Sequence, residues 1–297
     1  RALGHSVVGL ELTDENDSIA APMREAVRYA VSRAISPVRA PYWLPTPARR
    51  RARRAAATLR EAALGIVRSC RTDPARSAPL VQQLIAARDP QTGKPLTDNE
   101  IADELIIFIF AGHDTTATSI SYALWQLGRN GDVQDRVAAE VAQLGDGELT
   151  PDDVPRLVYT LQVLKESMRL CPPGATGSRM ATEDVAVAGY RIPAGTMLVV
   201  GRMSVHRDPA LWSEPLRFDP DRFTEEASRG RDRWQYVPFG GGPRGCIGDH
   251  FAMLEATLAL ATIIRLAEID SLEDEFPMAA PFTVVAGGPI PARIKLR

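Results

Sequence analysis

Apolar residues recur at helical spacing along most of the chain. Residues 20–35 and 48–70 carry them at steps of three and four between charged positions, which predicts two amphipathic helices. Between these stretches Pro37, Pro41, Pro45 and Pro47 mark an irregular connection. Thr97-Asp98-Asn99-Glu100 is a capping-box pattern and opens a long helix expected to reach about Arg129, where Asn130-Gly131 ends it. A further helix is expected to about Leu144. Thr150 and Pro151 start the next helical region, Leu157 to Leu170 is amphipathic, and Cys171-Pro172-Pro173-Gly174 stops it. Val185 to Ala188, Gly189 to Gly195 and Thr196 to Val200 then read as a hairpin-like unit of short strands. The stretch from His206 to Arg233 is polar and loop-rich, Asp249 to Leu266 is again helical, and strand character returns between Phe282 and Leu296. The pattern predicts a mainly α protein with small β-sheets, treated as one domain over residues 1–297.

Composition narrows the function classes. With 297 residues, 45% of them hydrophobic, the chain can bury a sizeable core. A net charge of −2 gives no global case for nucleic-acid binding. Cys70, Cys171 and Cys246 are too few and too scattered for a disulfide framework, and a reducing compartment fits them. The strongly apolar run from Leu105 to Gly112 is too short to span a bilayer, and no signal peptide is visible. Arg1-Ala2-Leu3 lacks an initiator methionine, so the text reads as starting inside a domain. Arg49, Arg50, Arg51, Arg53, Arg54 and Arg60 form a basic cluster, expected to be a solvated face; contact with an acidic partner or lipid headgroups is the alternative.

The candidate chemistry lies in Phe239-Gly240-Gly241-Gly242-Pro243-Arg244-Gly245-Cys246-Ile247-Gly248. The glycines let backbone approach closely and allow positive φ. Backbone wrapped round a sulfur can aim N–H groups at it, and the helix that follows favours a thiolate at its start. Phe239 is placed to pack beside the sulfur, and Arg244 can pair with a carboxylate. The alternative is a turn with a buried free cysteine. The loop resembles the haem-ligand signature of the cytochrome P-450 superfamily, Phe-Gly-x-Gly-x-Arg-x-Cys-x-Gly, at every defined position.

Three further segments resemble the same family in the same order. Ala111-Gly112-His113-Asp114-Thr115-Thr116 resembles its oxygen-activation motif, with Asp114 able to relay protons and the Thr115 hydroxyl able to hold oxygen or water. Gly112, and a bond from Thr115 to the carbonyl four residues earlier, are expected to bend the helix; an ordinary helix N-cap at Asp114 or Thr115 is the other reading. Glu166-Ser167-Met168-Arg169 resembles the Glu-x-x-Arg helix, and Pro220-Asp221-Arg222-Phe223 resembles Pro-Glu-Arg-Phe with Asp221 for Glu. The resemblance implies a Glu166–Arg169–Arg222 cluster that locks the cysteine-bearing loop. Arg179 matches a position where many members pair an arginine with a haem propionate.

The resemblance implies a cytochrome P-450-like fold lacking its N-terminal portion, with haem b as cofactor. Cys246 is then the axial iron ligand, Arg244, Phe239, Gly240, Gly242, Gly248 and Arg179 hold the haem, and Asp114 and Thr115 are catalytic. The implied activity is insertion of one atom of dioxygen into an apolar organic substrate. Electrons then come from a ferredoxin or flavodoxin with its reductase, because no flavin or nicotinamide segment is present. A cytoplasmic location is expected. Leu105, Ile109, Ala111, Pro173 and Val285 are expected to line the pocket. A non-catalytic remnant that binds haem weakly or not at all, and a haem-thiolate isomerase or peroxide-using enzyme, are the alternatives.

Overall fold

The protein is described here by a computed structural model that covers residues 17–36, 38–73 and 76–297. Arg1-Ala2-Leu3 and Pro37 lie outside the described residues. The chain divides between Asp114 and Thr115 into two compact units.

The first unit is helical. It contains α1 (Asp17–Ile35), α2 (Pro47–Thr72), α3 (Pro79–Ala86) and the first half of α4 (Asp98–Leu127). Pro47 suits the first turn of α2, where its missing N–H would have had no helical partner, and the Thr46 hydroxyl accepts from Arg49 N at 3.2 Å. The apolar stripe of α2 turns inward: Ala63, Ile66, Val67 and Cys70 pack with Val81 of α3 and with Ile101, Leu105 and Ile109 of α4. The capping box at the start of α4 is formed. Glu100 N donates to Thr97 Oγ1 at 3.3 Å, and Thr97 N donates to Glu100 Oε2 at 2.7 Å.

One member of the basic cluster departs from expectation. Arg49 is buried. Its Nη1 donates to the carbonyls of Pro41 and Leu44 at 2.7 and 2.8 Å, and also to Tyr42, while Nε donates to the Tyr29 hydroxyl at 3.1 Å. The proline-rich connection offers several carbonyls with no helix to satisfy them, and one guanidinium gathers them. Arg50, Arg51, Arg53, Arg54 and Arg60 stay exposed, Arg51 against Glu25 and Arg60 against Asp103.

The second unit runs from the rest of α4 through α5 (Gly131–Ala142), α6 (Val158–Leu170), β1 (Thr176–Met180), β2 (Val185–Val187), β3 (Tyr190–Ile192), β4 (Met197–Gly201), α7 (Arg202–His206), α8 (Glu225–Ser228), α9 (Asp249–Leu266), β5 (Ala267–Ser271), β6 (Met278–Ala279), β7 (Val285–Ala286) and β8 (Ala292–Leu296). Its core joins Leu127, Val137, Val141, Val163, Leu164, Leu260 and Ile264 from α4, α5, α6 and α9.

The strands make four two-stranded antiparallel sheets. β2 and β3 form a hairpin through Ala188 and Gly189, whose φ values of 49° and 83° are those of a two-residue turn with both centres left-handed. The expected third strand of that hairpin pairs elsewhere. β4 joins β1, with Thr176 opposite Gly201 and Met180 opposite Met197. Among the described residues no helix is long and apolar enough to cross a membrane.

Candidate functional site

The loop 239–248 closes on itself through backbone. Cys246 N donates to the Phe239 carbonyl at 2.9 Å, Gly245 N to Gly242 at 2.9 Å, and Gly240 N to Val237 at 3.0 Å. Gly240 and Gly242 hold φ of +73° and +71°, a region that L side chains rarely enter. A Cβ on Gly248 would lie 3.9 Å from Cys246 Sγ, so the glycine keeps that side of the sulfur open. Gly248 then caps α9, which begins at Asp249. Cys246 is a free thiol and exposed. The expected donation of backbone N–H groups to the sulfur is not found among the described residues. The Cys246 N–H points back to Phe239 instead, because the turn is shaped to close its own ring of amides. Phe239 is half-buried, and its carbonyl is what ties it to Cys246.

α6 carries a buried polar lock. Glu166 and Arg169 face each other one turn apart on α6, both with fully buried side chains. Arg169 Nε donates to Glu166 Oε2 at 2.6 Å and Nη2 to Oε1 at 2.8 Å. The same guanidinium holds the carbonyls of His206 and Pro215, each at 2.7 Å, and Arg217 at 3.2 Å. Asp219 N donates to Glu166 Oε1 at 2.9 Å. Burial pushes the Glu166 carboxyl upward, and the hydrogen bonds and charge of Arg169 and the Asp219 amide oppose that.

Arg222 approaches Glu166 more loosely, with Nε 3.5 Å from Oε1 and its Nη2 given to the Glu214 carbonyl at 3.0 Å. Asp221, where the motif has Glu, makes a two-pronged pair with Arg136 at 2.9 and 2.7 Å. A surface cleft of about 490 Å³ lies here, lined by Trp212, Asp221, Arg222 and Arg231, and Cys246 does not line it.

His206 connects lock and loop. Its Nε2 accepts from Val237 N at 2.9 Å, three residues before Gly240, and its carbonyl is one of those held by Arg169. Burial pushes its imidazole down to about 4, so the ring is neutral at pH 7 and free to accept. Sequence reading missed His206, since a lone histidine after a short strand carries no local signal.

Arg179 lies exposed on β1, donating to the Ser178 carbonyl at 2.8 Å, and Arg244 is exposed within the loop. Asp114 and Thr115 sit inside α4, which runs unbroken through Gly112, so neither caps a helix. The Asp114 carboxylate meets His113 Nδ1 at 2.8 Å, and both side chains are exposed. Two expected lining residues, Leu105 and Ile109, are packed into the core of the first unit. The open face of α4 carries Ala111, also among the expected lining residues, together with Ile107 and Asp114, at helical steps of four and three that exclude Leu105 and Ile109.

The family model for cytochrome P-450 matches residues 9–295. The chain belongs to the cytochrome P-450 family. Cyclooctat-9-en-7-ol 5-monooxygenase of Streptomyces melanosporofaciens is 38% identical over 74% of this chain and 48% of its own length. Cyclooctatin synthase of the same organism is 43% identical over 62% of this chain and 40% of its own length. Human cytochrome P-450 4V2 is 38% identical over 68% of this chain and 40% of its own length. The chain therefore spans about half or less of the length of these relatives. The crystal structure of the cytochrome P-450DA haem domain superposes with a TM-score of 0.89 at 28% identity, covering 99% of this chain and 65% of that one.

The residues present fit the haem of a cytochrome P-450. No group of three or more His, Cys, Asp or Glu side chains could hold a metal among the described residues, so iron on Cys246 needs its other ligands from a prosthetic group. Haem also brings two carboxylates, and none of the ion pairs among the described residues engages Arg179 or Arg244.

Proposed function

We propose that the protein is a haem-thiolate monooxygenase that inserts one atom of dioxygen into an apolar organic substrate, using electrons supplied from outside. The observation that carries this reading is the loop itself, which presents an exposed, unpaired thiol on a frame of glycines backed by the Glu166–Arg169 lock. Haem b, when bound, supplies the redox chemistry of dioxygen activation. The Cys246 thiolate holds the iron, while Phe239, Gly240, Gly242 and Gly248 keep the backbone shape that offers the sulfur. Arg244 and Arg179 bind haem carboxylates. Glu166, Arg169 and Arg222 hold the loop in place. Asp114, beside His113 on the open face of α4, relays protons, and the Thr115 hydroxyl holds oxygen or a water.

The relatives support the substrate class by name, since one is a monooxygenase of cyclooctat-9-en-7-ol. A ferredoxin or flavodoxin with its reductase supplies the electrons, and the reaction is placed in the cytoplasm.

The test is the absorption spectrum of the haem-loaded protein, reduced and exposed to carbon monoxide. The red-shifted Soret band of a thiolate ligand is expected, with its loss in Cys246→Ala. The same band in Cys246→Ala, or no haem uptake by the parent protein, refutes the reading and leaves a remnant without the chemistry.

A further inference from the structure

The cleft of about 490 Å³ beside Trp212 is built round two guanidiniums that the protein does not use up. Arg231 lies over aromatic rings, its Cζ 4.9 Å from the ring centroids of both Trp212 and Phe223. That stacking fixes the plane of its fork. Nη2 donates to the Arg222 carbonyl and lies 3.5 Å from that of Ala227, while Nε and Nη1 donate to no protein group among the described residues.

Arg222 is the second. Its side chain is only 10% exposed, yet its donors are poorly matched. Nη2 is given to the Glu214 carbonyl at 3.0 Å, and Nη1 reaches Ser213 Oγ only at 3.5 Å. Nε has no hydrogen-bond partner; it stands 3.5 Å from Glu166 Oε1, an oxygen already held by Arg169 and the Asp219 amide. Exposed Arg229 adds a third cation to the lining.

Two carboxylates share the cleft. Asp221 is spent on its two-pronged pair with Arg136, as Glu166 is on Arg169. Asp219 accepts from the Asp221 amide at 3.2 Å and enters no ion pair among the described residues. Arg222, Arg229 and Arg231 thus face Asp219 alone, a surplus of two positive charges. Unspent N–H groups on two guanidiniums, with that surplus, match a phosphate monoester, which carries close to two negative charges and three acceptor oxygens. A carboxylate brings half the charge. The volume leaves room for an organic group beyond the phosphate.

We propose that the cleft binds a small organic phosphate monoester, its dianion shared between Arg231 and Arg222, with Arg229 drawing it in. The inference does not depend on the haem reading, since Cys246 does not line the cleft. Arg222 joins the site to the lock: a phosphate that recruits it leaves Glu166 to Arg169 and the Asp219 amide.

Titration calorimetry of the full chain in phosphate-free buffer, with phenyl phosphate, benzoate and phenol as probes, tests this. Phenyl phosphate is expected to bind one per chain, roughly tenfold tighter than benzoate, with no heat from phenol. Arg231→Met is expected to weaken phenyl phosphate roughly tenfold and Arg229→Gln about threefold, while Arg231→Lys, which keeps the charge but not the fork, weakens it less than Arg231→Met. Asp219→Asn keeps an acceptor for the Asp221 amide and removes the opposing charge, so it should bind about threefold tighter, a gain that a misfolded variant cannot give.

No saturable binding of phenyl phosphate, or binding unchanged in both Arg231→Met and Asp219→Asn, overturns the proposal. Equal affinity for benzoate and phenyl phosphate also overturns it, because a site for any monoanion gives that result. Loss of binding in Arg179→Met or Arg244→Met, with Arg231→Met unaffected, places the anion at other arginines and overturns it too.

Discussion

His206 makes neutrality a working property of a single residue. Its Nε2 must stay unprotonated to accept from Val237, and burial holds the ring at about 4 against an ordinary 6.5. Because the folded value is depressed, the stability it contributes is fully present above pH 6.5 and is lost as pH falls towards 4. At pH 5.0 the loss amounts to about 2 kcal/mol. His206→Gln keeps an acceptor that does not titrate. Urea unfolding of the parent and this variant at pH 7.5 and 5.0 should show the variant losing less by roughly that amount; equal losses would show that His206 does not carry the pH dependence. The candidate loop was legible because Cys246, Arg244 and the glycines stand in one short run. His206 and Arg231 were not, because what gives them meaning lies elsewhere in the sequence: Val237 for one, Trp212 and Phe223 for the other. Arg49 was misplaced for the opposite reason. It sits in a run of exposed arginines, and only the folded connection shows that it gathers carbonyls.

At the scale of elements, helices were read well and sheets less well. α9 matches its expected span, and α4 begins at its capping box, since caps and apolar stripes act within one or two turns. β4 was assigned to the wrong partner because pairing with β1 crosses the intervening hairpin, and neither short strand encodes its neighbour. α6 shows what a pair one turn apart on a helix can do once both members are buried. Its Arg169 meets three carbonyls from outside α6 besides Glu166, so removing the guanidinium leaves a buried carboxylate with reduced compensation. Arg169→Met is expected to cost about 3–5 kcal/mol in urea unfolding, while Arg217→Met, which removes an exposed pair with Glu214, should cost under about 1 kcal/mol. Similar small costs for both would mean that the lock adds nothing beyond surface charge.

For the whole molecule, the two units keep separate cores, one built around α2 and α4 and the other around α5, α6 and α9. Cys246, Arg179, Arg244 and the Glu166–Arg169 pair all fall in the second. Haem at a hundred times its dissociation constant should therefore stabilise the folded protein by about 2.7 kcal/mol. Hydrogen exchange should slow at the amides of Gly240 and Cys246, and Cys246→Ala should weaken both effects. Protection confined to residues before Asp114 would contradict this assignment. The division itself was not visible in the sequence, because α4 reads as one continuous helix across it.

The lock also has a consequence in time. Arg169 reaches carbonyls 37, 46 and 48 residues further along, and Glu166 reaches an amide 53 residues on. At about 5–20 residues per second, a ribosome needs several seconds to make that stretch. Throughout that interval the carboxylate and guanidinium of α6 have each other and water, and nothing to hold. Slow codons between residues 170 and 219 would lengthen this unsealed period, and the cysteine loop is made only after it ends.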